Sequence, residues 1–97
     1  MNFYELEAFL VLAKTLHFGK SASKLNMSPS ALTRVIARLE DEVGLPLFDR
    51  NNRQIYLTPQ GKIFEKFAQE SLAKKAELME KLSGSGNQIE GVLPVYA

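Results

Sequence analysis

The chain has 97 residues, 45% of them hydrophobic and 24% charged, with a formal net charge of +1, a balance that fits a single globular domain with one core. It contains no cysteine and a single histidine, which excludes a disulfide framework, a cysteine-ligated zinc site, thiol catalysis and a histidine-rich metal centre. No apolar run is long enough for a membrane span or a signal-peptide core, so the expected location is the cytoplasm.

Asn2 followed by Glu5 reads as a helix N-cap with a carboxylate at the third helical position. Phe3, Leu6, Phe9, Leu10, Ala13 and Leu16 then recur at helical spacing, which predicts a first helix from Phe3 to Thr15. Gly19 opens a shorter second helix, Lys20 to Leu25, whose small residues Ser21, Ala22 and Ser23 permit close approach. Asn26 tolerates the left-handed conformation that ends it. Ser28-Pro29 is a second start signal, a capping hydroxyl followed by a proline whose missing N–H needs no partner at the first helical position. The third helix continues through Leu32, Val35, Ile36, Leu39 and Val43, and Gly44 with Pro46 behind it stops it.

Two short helices joined by a few residues, the second carrying Thr33, Arg34 and Arg38, fit a helix-turn-helix. Leu47-Phe48-Asp49-Arg50, a turn at Asn51-Asn52, and Arg53-Gln54-Ile55-Tyr56-Leu57 predict a two-stranded β wing that must pack on the helices to be stable. Thr58-Pro59 repeats the start signal and opens a long helix to Leu82 with an apolar stripe of Ile63, Phe64, Phe67, Ala68, Leu72, Met79 and Leu82. Roughly 24 helical residues span about 36 Å, more than the rest of the domain is wide. Phe64, Phe67, Leu72, Met79 and Leu82 are therefore expected to pair with a second copy in a two-fold homodimer; the alternative is a helix folded back on its own domain. Ser83 to Gln88 has linker composition, and Gly91 to Ala97 begins a strand-like run. The expected architecture is thus mainly α, a winged helix-turn-helix over 1–58, a linker or dimerisation helix over 59–82, and a flexible hinge over 83–97 that leads into an absent domain.

The near-neutral total conceals two basic segments. No acid occurs between Ala8 and Leu39, where Lys14, Lys20, Lys24, Arg34 and Arg38 lie, and none between Arg50 and Ile63, which holds Arg50, Arg53 and Lys62. Such a distribution fits a domain that meets a polyanion with one face, or a solvated surface with no partner. Glu40-Asp41-Glu42 is not a metal site, because adjacent helical residues diverge and no histidine or cysteine joins them. An enzyme is not expected: His17 is the one imidazole, and neither a phosphate-binding glycine loop nor a spaced carboxylate pair is present.

Together these residues resemble the DNA-binding domain of LysR-type bacterial transcriptional regulators. The resemblance rests on Leu6 and Phe9 to Ala13, His17-Phe18-Gly19-Lys20-Ser21-Ala22, Leu25, Met27, the run Ser28 to Glu40, Gly44, Leu47-Phe48-Asp49-Arg50, Arg53 and Leu57-Thr58-Pro59-Gln60-Gly61. Ser21, Ser23 and Ser28-Pro29-Ser30 depart from the commonest pattern, which bears on base preference. The resemblance implies sequence-specific binding of double-stranded DNA by a homodimer on an inverted repeat, with a tetramer and RNA polymerase as further partners of the full-length protein and no membrane. It implies no cofactor in this chain and a small-molecule effector on the missing C-terminal domain. The third helix is expected in the major groove, with Pro29, Ser30, Thr33 and Arg34 at base edges. His17, Lys20, Ser21, Ser28, Arg38, Arg50 and Arg53 are expected on the DNA backbone, with Arg53 the better placed wing residue for a narrow minor groove. Arg50 has an alternative as a tie to Asp49 or the Glu40–Glu42 cluster, and Phe18 is expected in the core. The rival function is a winged helix that docks an acidic protein partner.

Overall fold

The computed structural model describes residues 1–51 and 54–84. Their order is α1 (Phe3–Thr15), α2 (Phe18–Lys24), α3 (Pro29–Val43), β1 (Phe48–Asn51), β2 (Gln54–Leu57) and α4 (Pro59–Gly84). The part of the expected hinge from Ser85 onward and the strand-like run, like Arg53, lie outside the described residues.

Local chemistry sets most boundaries. Asn2 Oδ1 accepts the Glu5 amide (2.8 Å) at the start of α1, and Ser28 Oγ accepts the Ala31 amide (3.1 Å) at the start of α3, with Pro29 in its first turn. Asn26 (φ 57°) and Gly44 (φ 84°) take the left-handed conformation expected of them; Leu16 also does so (φ 55°), closing α1 against the Leu12 carbonyl. Three boundaries differ from the sequence reading: α4 runs to Gly84, so Ser83 and Gly84, expected in the hinge, are helical, and the other two lie earlier in the chain. The second helix starts at Phe18 rather than Gly19–Lys20, because His17 Nδ1 accepts the Lys20 amide (2.9 Å) and so acts as the cap. Asn51 belongs to the strand ladder opposite Gln54, not to the turn, with Phe48 opposite Leu57 at the other end of the antiparallel pair.

The core lies where α1, α2, α3, the wing and the first third of α4 meet. Phe9 is its centre: the Phe64 ring stands edge-on to it at 4.9 Å and the Phe48 ring tilts against it at 5.2 Å, inside a shell of Leu6, Leu12, Leu32, Ile36, Leu39 and Leu47. α4 reaches this core because Gly61 has no side chain. A Cβ there would fall on the Leu47 carbonyl oxygen and against Leu57. The same corner is tied by Thr58, whose hydroxyl donates to the Pro46 carbonyl (2.7 Å) and accepts from the Gly61 amide (2.9 Å).

α4 has 26 residues and so runs about 39 Å, giving the described residues an elongated 58 × 26 × 20 Å outline. Beyond Ala68 it leaves the core: Leu72 is half-buried, and Leu78, Met79 and Leu82 are exposed. Phe64 corrects the expected dimer set, since most of its ring is buried against Phe9 in its own domain.

Candidate nucleic-acid interface

The outer face of α3 carries the residues expected to meet DNA. Ser28, Pro29, Ser30, Thr33, Arg34, Ala37 and Arg38 are all exposed, while Leu32, Ile36 and Leu39 hold the opposite face in the core. Pro29 and Ser30 occupy the first turn, Thr33 and Arg34 the next, and Arg38 follows one turn beyond Arg34. Thr33 donates its hydroxyl proton to the Pro29 carbonyl (2.9 Å), which leaves its oxygen as an acceptor. Ser28 is committed to the cap, with Ser30 Oγ 3.2 Å from its hydroxyl. Arg34 makes no ion pair among the described residues, so its guanidinium is unsatisfied by its own domain.

Arg38 is different. Its Nη1 lies 3.1 Å from Glu5 Oε2, a carboxylate on α1 that is nearly buried. The other oxygen, Glu5 Oε1, sits 3.4 Å from the Met1 ammonium without a hydrogen bond. That ammonium is held 2.6 Å from Glu42, and this hydrogen bond raises the amine above its ordinary pKa against an opposing desolvation. Sequence reading placed Glu5 in a capping box; its carboxylate instead reaches across to α3.

Around this face the other expected backbone contacts separate. His17 and Lys20 are exposed at the start of α2, His17 with Nδ1 engaged by the Lys20 amide, which puts the proton of the neutral ring on Nε2. Ser21 is a correction: it is fully buried, its hydroxyl bonded to Thr15 Oγ1 and directed at the Val11 carbonyl, so it ties α2 to α1 and cannot reach a phosphate. A serine between Lys20 and Ala22 on a short helix carries no signal that distinguishes the two roles. On the wing, Arg50 is exposed and lies over the Phe18 ring (4.8 Å to the centroid) rather than pairing with Asp49 or the Glu40–Glu42 cluster. Phe18 itself packs against the core, as expected. Glu40 has a role that sequence reading missed: its Oε2 accepts from the Leu47 (2.8 Å) and Phe48 (3.1 Å) amides, fastening α3 to the start of the wing.

The architecture, the exposed α3 face and the flanking wing have close counterparts. Residues 3–62 match the family described as bacterial regulatory helix-turn-helix protein, lysR family. The chain belongs to the LysR family. Its helix-turn-helix is a sequence-specific DNA-binding unit of a LysR-type transcriptional regulator. Among relatives of this LysR-family domain, the HTH-type transcriptional activator IlvY of Salmonella typhimurium is 41% identical over 96 residues, covering 99% of this chain and 32% of the relative. The HTH-type transcriptional regulator IlvY of Escherichia coli is 40% identical, with the same coverage. The chain thus spans about a third of the length of these relatives. Vibrio fischeri DarR, solved in complex with DNA, superposes with a TM-score of 0.84 at 35% identity, covering 91% of this chain and 30% of that one. The BenM DBD complex with catB site 1 DNA also reaches 0.84, at 28% identity over 89% of this chain and 96% of that one. The relatives named here are transcriptional regulators, consistent with a chain that is not an enzyme. Among the described residues no helix is long and apolar enough to cross a membrane.

Proposed function

We propose that α3 enters the major groove of an inverted-repeat operator as one half of a homodimer, with Pro29, Ser30, Thr33 and Arg34 reading base edges. The observation that carries this reading is the free outer face of α3, whose Arg34 has no ion-pair partner among the described residues and lies in the first of the two basic segments. Arg34 is suited to bidentate pairing with guanine O6 and N7, and Pro29 to contact with a thymine methyl. Thr33, with its proton committed to Pro29, would act as an acceptor toward a base amino group. Lys20, His17, Ser28, Arg38 and Arg50 would hold the backbone, with Arg53 on the phosphates or minor groove beside the wing.

Homodimerisation is supported by the exposed apolar side chains Phe67, Leu78, Met79 and Leu82 on α4 and by a groove of about 500 Å³ between α1 and α4, lined by Phe3, Tyr4, Leu72 and Met79. For the whole protein the proposal is a cytoplasmic regulator, dimeric or tetrameric, that works with RNA polymerase. The identity to the IlvY proteins favours a regulator of branched-chain amino-acid biosynthesis with a C-terminal domain for a small-molecule effector. Selecting bound duplexes from a random pool tests the reading: the expected product is an interrupted inverted repeat. Gel-shift titration of that duplex should give log affinity falling against log salt with a slope of about −5 if six phosphates are neutralised per dimer. A pool with no enriched motif, or binding indifferent to salt, would overturn it.

A further inference from the structure

Arg38 shares the exposed face of α3 with Arg34, yet only Arg38 is anchored from below. Glu5, on α1, has a side chain 4% exposed, whereas the Arg38 side chain is 66% exposed. A carboxylate removed from water holds tightly to a hydrogen-bonded cation, and Arg38 Nη1 at 3.1 Å is its one hydrogen-bonded partner among the described residues. The Met1 ammonium near the other oxygen is a weaker competitor, since it is drawn closer to Glu42, at 2.6 Å against 3.4 Å. Here one guanidinium N–H of five is used, and the remaining donors stand in solvent on the α3 face.

We propose that Glu5 is a positioning residue for DNA binding: it fixes the Arg38 guanidinium so that its free N–H groups meet a backbone phosphate beside the major groove. This rests on the reading that α3 faces the duplex. Anchoring removes rotamers that a free arginine would have to give up on binding, which offsets the cost of placing an acid near a polyanion. The two effects have opposite signs. Removing a negative charge alone tightens binding to DNA, while releasing Arg38 loosens it, and the proposal requires that the second effect dominates.

The test uses the 97-residue chain, the duplex selected from the random pool and a random duplex of equal length. Expected for Glu5→Leu is a three- to tenfold loss of affinity on both duplexes and a salt slope shallower by about 0.9 per domain. In an Arg38→Ala background the same change should cause no loss, only the slight tightening that removal of a negative charge gives, because the residue through which Glu5 acts is gone. Glu5→Gln, which keeps an acceptor for Nη1, should fall between wild type and Glu5→Leu and serves in its place if the leucine variant does not fold. Tighter binding by the Glu5 variants with Arg38 in place, an unchanged slope there, or equal losses with and without Arg38 would each overturn the proposal. Arg34→Ala separates the two levels: if it weakens selected-duplex binding while Glu5 and Arg38 changes do not, only the role of Glu5 fails; if it too has no effect, the placement of α3 fails.

Discussion

Two arginines on one helix face differ in what lies beneath them: Arg38 rests on the Glu5 carboxylate and Arg34 does not. Arg34 has no ion-pair partner among the described residues, which leaves its donors open for the base contact proposed above. Arg34→Ala should weaken selected-duplex binding by about 1–3 kcal/mol and relax the preference at one base position. Equal losses on selected and random duplex in a gel-shift titration would count against base reading. At the amino end, the Met1 ammonium has a folded pKa raised above the ordinary 8.0 by its hydrogen bond to Glu42. The stabilisation is therefore complete below that ordinary value and fades as pH rises through the folded one. Acetylating the amine should lower the unfolding midpoint at about pH 7 and have no effect well above the folded pKa; an equal effect at both would show that charge is not the cause.

At the level of elements, the signals that could be read from the chain are those that act over a few residues. Asn2, Ser28, Asn26 and Gly44 cap or end helices through their own side chains or backbone freedom, and they do so here. What could not be read depends on partners far along the chain. Glu5 meets Arg38 across 33 positions, and Glu40 reaches Leu47 and Phe48 only because the chain turns back at Gly44. Ser21 and Phe64 were misassigned for the same reason, since helical spacing says which side a residue is on but not which neighbour will cover it. His17 is intermediate: it lies in the capping position, but imidazole is an uncommon cap and the glycine after Phe18 was the more familiar start signal. Packing also sets where α4 can lie. Gly61→Ala would drive a methyl into the Leu47 carbonyl and should cost about 1–3 kcal/mol in urea unfolding; an unchanged midpoint would mean that the corner can relax.

On the scale of the molecule, α4 divides into a stretch that closes the core and a stretch that exposes Leu78, Met79 and Leu82. If a second copy covers that stretch, Met79→Glu buries a charge at a seam where each chain contributes the same residue. The dimer dissociation constant should then rise tenfold or more, about 1.4 kcal/mol, as read by sedimentation equilibrium. A dimer of unchanged strength would reject the seam.

Glu40 ties α3 to the hairpin, since a single carboxylate oxygen accepts both amides at the start of the hairpin. Arg50 resting on Phe18 adds a second brace from the hairpin to the helix before it. If α3 and the hairpin both meet the duplex as proposed, these ties make the domain act like a calliper whose jaws have a set opening. Any mismatch with a given stretch of double helix has to be absorbed by bending or narrowing that stretch, so compliant base steps between the two points of grip should be favoured even where no side chain touches them.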